Sequence, residues 1–323
     1  MNKWEPVKFT PIAVPRIWGG HTLKSWFGTD TDQPIGEYWV VSSHPHGTSV
    51  VEQGAFQGKT LNDLVREYPE AYLGDSPQPR FPLLIKFIEA AQDLSVQVHP
   101  DDEYARRTES DFGKTEAWYV LDCPDDGRVI YGHRFKSRRD YMQAVEEKRV
   151  KPYLEYVPIA PGRLVFVPSR TLHALLAGTV VLEIQQTSDV TYRVYDWDRV
   201  DEHGRSRELH VEKAADVLQY GPQPDPFPAV QEIPAAAGLR GSRLAACPYF
   251  TIDRWNLLSG RHSFMHGRKG NPDIVIVTDG QGTLLWPGGD MPLRRGDAVI
   301  VPATLSGYEV SCAGGMELIR VFY

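Results

Sequence analysis

Apolar residues along this chain come in short bursts. The runs "RFPLLIKFIEA", "DLSVQVHP", "TEAWYVLD", "GRLVFVP", "TVVLEIQQ", "DIVIVTDG" and "DAVIVP" are rich in Val, Ile, Leu and aromatics, and turn residues bound them. Such runs read as strands. They are numerous and short, without regular helices between them, which points to a β-sandwich or barrel and away from a parallel α/β sheet. Three segments show helical spacing instead. Residues 60–73 place Leu61, Leu64, Val65 and Tyr68 on one face, with Gly74 as a stop. Residues 137–149 open on a Ser with Asp three places on, and residues 208–219 align Val211, Ala214, Ala215 and Leu218.

The segment 219–238, "QYGPQPDPFPAVQEIPAAAG", is dense in Pro and reads as a linker. A diverged repeat flanks it. Aligning "PGRLVFVPSRTLHAL" with "RRGDAVIVPATLSGYEV" sets Gly162 on Gly296, Pro168 on Pro302 and His173 on Gly307, each pair 134 positions apart. The expected organisation is therefore two related β units, residues 1–225 and 226–323. Only the first carries a His at the repeated position.

Composition narrows the class. The chain has 323 residues, 41% hydrophobic and 24% charged, with a formal net charge of −7. That is ordinary for a globular protein and lacks the basic face of a nucleic-acid binder. No apolar run approaches the ~18 residues of a membrane span, and the N-terminus lacks a signal-peptide core. Cys123, Cys247 and Cys312 are scattered, with no CxxC, which fits reduced thiols in a cytoplasm.

The candidate chemistry starts at "SVQVH". Side chains alternate faces along a strand, so Gln97 and His99 project together, roughly 6–7 Å apart at Cα. By the same rule "GKTEAWYVL" offers Lys114 and Glu116 on one face, and His173 follows the Pro168 turn. Two imidazoles, a carboxylate and an amide oxygen suit Zn²⁺, with Fe²⁺, Mn²⁺ or Co²⁺ as possible occupants. His44 and His46 in "SSHPHGTS" form a second HxH pair, but the Pro, Ser, Gly and Thr around them suggest a loop with a structural role. His21, His133, His203, His210, His262 and His266 have no ligand-like partner in sequence.

The stretches "RIWGG", "GEYWVVSSHPHG", "FPLLIKF", "DLSVQVHPDDEYA", "GKTEAWYVLD", "VPSRTLHAL" and "EIQQTSDVTYRVYDWDR" together resemble the short bacterial form of type I mannose-6-phosphate isomerase. The likeness runs in order from about Arg16 to Leu218 and more loosely to the C-terminus. It implies an all-β-dominated chain of two cupin (jelly-roll) units with a few helical insertions, the second metal-free. It also implies one Zn²⁺ per chain, no organic cofactor and a sugar phosphate substrate. The zinc ligands fall on Gln97, His99, Glu116 and His173, with Gln97 not used in every short member. Arg193 matches the catalytic arginine. Lys86, Ser95 and Lys114 match pocket positions, Glu183 and Asp189 acidic pocket residues, and Trp18 an aromatic at the mouth. Arg170, three before His173, departs from the Gly frequent there.

The implied reaction moves protons between C1 and C2 and between O1 and O2 through an enediol(ate). Lys114 is expected to stabilise oxygen charge beside the metal, or simply to pair with a carboxylate. Glu183, in an apolar strand where burial raises a carboxyl pKa, is the first choice of base and Asp189 the second; a Glu paired with an Arg is the competing reading. With no GxxxxGK loop, Lys86, Ser95 and Arg193 are the phosphate candidates. A cupin Fe²⁺ oxygenase would share the metal ligands, and a non-catalytic sugar-phosphate sensor would share the pocket. No nucleic-acid or membrane partner is expected, and the chain is expected to be a monomer or weak homo-oligomer in the cytoplasm.

Overall fold

The structure, a computed structural model, describes residues 4–200 and 203–323. Its first β unit faces a six-stranded sheet against a five-stranded one. The six-stranded sheet runs, in spatial order, Leu164–Val167, Glu116–Asp122, Thr179–Gln186, Leu83–Ala90, Ile35–Val41 and Ile12–Gly20. The five-stranded sheet runs Leu154–Pro158, Arg128–His133, His173–Ala174, Val96–Val98 and Tyr192–Tyr195. All pairings in both are antiparallel. Trp118, Val120, Val165 and Val181 of one sheet pack with Val129 and Tyr131 of the other to close a jelly roll.

The six-stranded sheet is covered on both faces. Leu83, Ile85 and Phe87 point outward into a core shared with Ile252, Ile274, Ile276, Ile319 and Val321 of the C-terminal unit. Lys86 and Ile88, on the alternate face, line a cavity inside the first barrel. This explains why "PLLIKFIEA" is almost continuously apolar: both faces are buried, so period-two alternation vanishes. Lys86 stands out in that run because a buried ammonium requires partners.

The C-terminal unit repeats the plan. Its large sheet carries Thr251–Leu257, Met316–Phe322, Asp273–Asp279 and Ala298–Val301, matching the order of the first unit's central strands. The facing sheet is Gly260–Phe264, Tyr308–Cys312, Gln281–Trp286 and Gly289–Arg294. The turn glycines of the repeat are equivalent: Gly162 (φ 81°) donates to the Val120 carbonyl at 2.8 Å and Gly296 (φ 94°) to Val277 at 2.9 Å.

Three sequence expectations are revised. Residues 7–10 and 50–51, counted with the first unit, hydrogen-bond into the second unit's sheet: Val7 pairs with Ile300 and Phe9 with Val51. A four-residue strand between two prolines has no local partner, and the open edge of Ala298–Val301 satisfies it. The Pro-rich segment is docked and not a free linker. The Phe166 amide donates to the Pro226 carbonyl at 2.8 Å, and Gln231–Ile233 pairs with residues 241–243. The expected helix over 60–73 divides at Pro69 into Leu61–Glu67 and Pro69–Tyr72, because Pro suits a helix's first turn and not its interior. Helices Arg138–Glu146 and Val211–Val217 form where the spacing places them. Asp102–Thr108 is an additional helix, capped by Asp101.

The strand registers show what replaced the site in the second barrel. Glu116 lies opposite Val167 and Asp273 opposite Val301, so Asp273 occupies the Glu116 position. Glu183 lies opposite Lys86, and the equivalent pair is Arg320 opposite Asp253, with the charges exchanged. Asp273 accepts from the Gly267 amide (2.9 Å) and the Tyr308 hydroxyl (3.0 Å), with an Arg320 nitrogen 3.8 Å away. An internal guanidinium and a hydroxyl thus compensate this carboxylate. Removing one partner of a buried ion pair strands the other, at about 3–5 kcal/mol. Asp253→Ala is therefore expected to lower unfolding free energy by roughly that amount in denaturant titration while leaving metal content unchanged. A loss well under 1 kcal/mol would show that the cluster does not hold the second barrel together.

Candidate active site and metal centre

His99, Glu116 and His173 converge between the two sheets of the first barrel. Glu116 comes from the six-stranded sheet, His173 from the five-stranded one, and His99 from just beyond Val96–Val98. One ligand atom from each lies within 4.8 Å of the other two, and all three residues are at most 1% exposed. His99 Nε2 is 3.4 Å from Glu116 Oε2, and His173 Nε2 is 3.3 Å from Oε1. Each Nδ1 faces a carbonyl, Val190 at 2.8 Å and Thr171 at 2.9 Å. A carbonyl only accepts, so each Nδ1 carries the proton and each Nε2 turns a lone pair toward Glu116. Burial, then Lys114 nearby, pushes His99 down to about 4, and burial lowers His173 as well, so both are neutral at pH 7. Burial opposes the Glu116 charge, but Lys114 and the two imidazoles hold it well below the usual carboxylate range.

Both Glu116 oxygens are buried and accept no hydrogen bond from the protein. Two inward lone pairs and an unsatisfied carboxylate are the donor set of a divalent cation. These residues fit a metal ion. Gln97 borders the centre, its amide nitrogen 3.4 Å from His173 Nε2. Lys114 Nζ lies 3.1 Å from Glu116 Oε2 and 3.2 Å from His99 Nε2.

Beside the centre is a polar cavity of about 320 Å³. It is lined by Trp18, Lys86, Ser95, Gln97, Lys114, Glu183, Asp189 and Arg193, so every pocket residue expected from the sequence meets here. The surroundings of several differ from expectation. Glu183 is not in an apolar setting: Lys86 Nζ is 3.3 Å from its Oε2, and the Trp118 indole donates to Oε1 at 3.2 Å. Lys86 also faces Glu37 at 3.6 Å. Glu37 in turn accepts from the Arg16 guanidinium (2.7 Å) and the Trp39 indole (2.6 Å). Burial opposes the charge on Lys86, but Glu37 and Glu183 more than offset it and raise its pKa. Burial likewise opposes ionisation of Glu37, yet Lys86 and Arg16 bring it down to about 2. Trp18 packs with Ile88 and Trp118 while forming cavity wall.

On the opposite sheet Arg193 lies directly across from Gln97, and Gln97 across from His173. Arg193 donates to the Glu208 carbonyl at 2.8 Å, and its backbone amide donates to His210 Nδ1 at 3.1 Å. The HxH pair sits on the tight hairpin Ser43–His44/Gly47–Thr48, where His46 Nδ1 meets Asp189 at 3.1 Å. Burial opposes the Asp189 charge, but Lys86 and His46 lower its pKa, leaving it an anion. Sequence reasoning missed Arg16, Glu37, Thr191 and Arg207 as cavity residues. The one available signal was Glu37 in "IGEYWVV", a charge inside an apolar run.

Fold and site together define a two-barrel cupin in which the first barrel alone carries a metal-competent triad among the described residues. A family model described as phosphomannose isomerase type I, catalytic domain, matches residues 9–122, and one described as mannose-6-phosphate isomerase, cupin domain, matches residues 242–323. The chain is 39% identical to mannose-6-phosphate isomerase of Streptococcus mutans, covering 98% of this chain and 97% of the relative. It is 38% identical to the ManA mannose-6-phosphate isomerase of Bacillus subtilis over 95% and 96%. The crystal structure of the mannose 6-phosphate isomerase from Bacillus subtilis superposes with a TM-score of 0.90 at 36% identity, covering 98% and 99% of the two chains. The chain belongs to the type I mannose-6-phosphate isomerase family. No helix among the described residues is long and apolar enough to cross a membrane.

Two outcomes follow from this geometry. His99→Ala and Glu116→Ala should each remove bound metal, measured by elemental analysis, with the fold retained by circular dichroism; full metal occupancy in either would refute the triad. Glu37, whose folded pKa is depressed from 4.5 to about 2, contributes stability above its unfolded pKa, and this is lost as pH falls through its folded value. Glu37→Gln should therefore remove a contribution of roughly 3 kcal/mol at neutral pH and flatten the acid limb of the stability curve between pH 4.5 and 2.

Proposed function

We propose that this protein interconverts mannose 6-phosphate and fructose 6-phosphate through an enediol(ate), with one Zn²⁺ held by His99, Glu116 and His173 and bordered by Gln97. The carrying observation is the fully buried carboxylate of Glu116 facing two neutral imidazoles, with Gln97 and Lys114 between this cluster and a polar cavity. Family membership supports the substrate. A divalent ion bound there supplies Lewis-acid polarisation of the sugar's carbonyl and hydroxyl oxygens.

This chain's side chains do the rest. Lys114, buried beside the ligand cluster, stabilises negative charge on O1 and O2 from a fixed position, a preorganised contribution that water cannot match. Glu183 lines the cavity with Lys86 as the ion-pair partner of its Oε2, and we assign it the carbon-bound proton: it takes the C2 proton of the aldose and returns it to C1. Lys86, 3.3 Å from Oε2, fixes the position of the Glu183 carboxyl group. Asp189, held by His46 at the rim, orients sugar hydroxyls, and Trp18 supplies an apolar wall to the ring. Ser95 and Arg193 bind on the opposite sheet. Residues 1–225 supply the whole catalytic site in this reading, and residues 226–323 form a metal-free support. The three free cysteines fit a cytoplasmic location.

Chelator-stripped protein should lose mannose-6-phosphate isomerase activity and regain it with Zn²⁺; restored metal without activity would defeat the reading. Glu183→Gln should lower kcat by roughly 10²–10⁴-fold with metal content intact, and should suppress exchange of substrate hydrogen with solvent deuterium. Undiminished exchange in that variant would place the base elsewhere.

A further inference from the structure

The cavity has two cationic walls, and they differ in charge balance. On the six-stranded sheet Lys86 and Arg16 face Glu37 and Glu183, two cations against two carboxylates, all within ion-pair distance of a partner. Asp189 adds a further anion to that side, paired with His46. This wall has no spare positive charge.

The other wall does. Arg193 lines the cavity, has a buried Nε with no protein partner, and makes no ion pair with a carboxylate among the described residues. Arg207 lines the cavity next to it. Burial and the positive field of Arg207 both work against Arg193's charge. The nearby buried carboxylate is Asp196, which Arg207 contacts through Nε at 2.7 Å, and Asp196 is shared with Arg199. Arg199 is directed away, its NH1 donating to the Asp93 carbonyl at 2.7 Å. Arg199 and Arg207 thus share the Asp196 carboxylate while Arg193 beside them contacts none, a local excess of positive charge among the described residues that suits an anion.

The backbone holds this arrangement in place. Trp197 and Asp198 follow Asp196 in the left-handed region (φ 59° and 57°), a conformation that residues with a Cβ adopt only when their surroundings enforce it. The Trp197 indole clamps the turn to the Leu94 carbonyl at 2.7 Å. Arg193 lies two strands from His173, roughly 10 Å across the sheet. The carbon chain of a hexose 6-phosphate spans that distance from its reacting end to its phosphate.

We propose that Arg207, oriented by Asp196, is a substrate ligand that binds the phosphate together with Arg193, and that Lys86 serves the acid–base network instead. This rests on the sugar-phosphate reading above. The fork of a guanidinium matches phosphate oxygens, and the second fork neutralises the dianion.

The test compares wild type, Arg207→Gln and Arg207→Lys in the zinc-loaded full chain. For Arg207→Gln, kcat/KM for mannose 6-phosphate should fall roughly 10- to 100-fold, mainly through KM. The inhibition constant of inorganic phosphate should rise by a similar factor, and Arg207→Lys should recover part of both. Turnover of unphosphorylated mannose, if wild type shows any, should fall by a much smaller factor than that of mannose 6-phosphate. Unchanged KM and unchanged phosphate inhibition in both variants would overturn the proposal, as would an equal loss on unphosphorylated mannose. Should wild type lack isomerase activity, the functional reading fails by itself. Calorimetric binding of inorganic phosphate, present in wild type and lost in Arg207→Gln, then still decides the role of Arg207.

Discussion

Glu116 is the constraint around which the first barrel is organised. Its two oxygens are withdrawn from water, and among the described residues the only cation against them is Lys114, on Oε2, so burying this charge among two imidazoles favours a further cation beside them. The surrounding residues follow from that requirement. The imidazoles of His99 and His173 are turned by backbone carbonyls so that lone pairs, not protons, face the carboxylate. Lys114 adds positive charge from one side without occupying the centre. Arg16, Glu37, Lys86, Glu183 and Arg193 are anchored on neighbouring strands of the same two sheets, so the metal centre and most of the cavity's charges share one rigid frame.

The second barrel shows the same constraint resolved differently. Asp273 stands where Glu116 stands, and its charge is answered internally by Tyr308 and Arg320. The Lys86–Glu183 pair has its counterpart in Asp253–Arg320 with signs exchanged. In the first barrel the cross-strand lysine leaves the carboxylate cluster open to a ligand. In the second the arginine fills it, and the interior closes over Val275, Leu284, Leu293 and Leu318. The two barrels therefore differ by more than His173 against Gly307: the second pairs its buried Asp253 and Asp273 with Arg320 and Tyr308.

Charge balance also divides the cavity. One wall pairs every cation with a carboxylate, which suits proton handling because Lys86 fixes the Glu183 and Glu37 carboxyl groups in place. The other wall carries an excess of guanidinium, which suits an anionic substrate group. Lys86, which attracted attention as a buried lysine, turns out to be the most neutralised of the cavity cations, held between Glu37 and Glu183.

Much of this was legible in the residues alone. Alternating side chains put Gln97 with His99 and Lys114 with Glu116, and a repeated turn–strand–turn pattern offset by 134 positions marked two related units. Strand periodicity is a local property, so it survives in the linear order. What the sequence left open depended on contacts between distant positions. Arg16, Glu37 and Arg207 carry no spacing signal, because their partners lie 21, 49 or 11 positions away across different strands and loops. The N-terminal strand completing the second barrel, and the guanidinium excess that distinguishes one wall from the other, were likewise decided only when folding summed burial and charge in three dimensions.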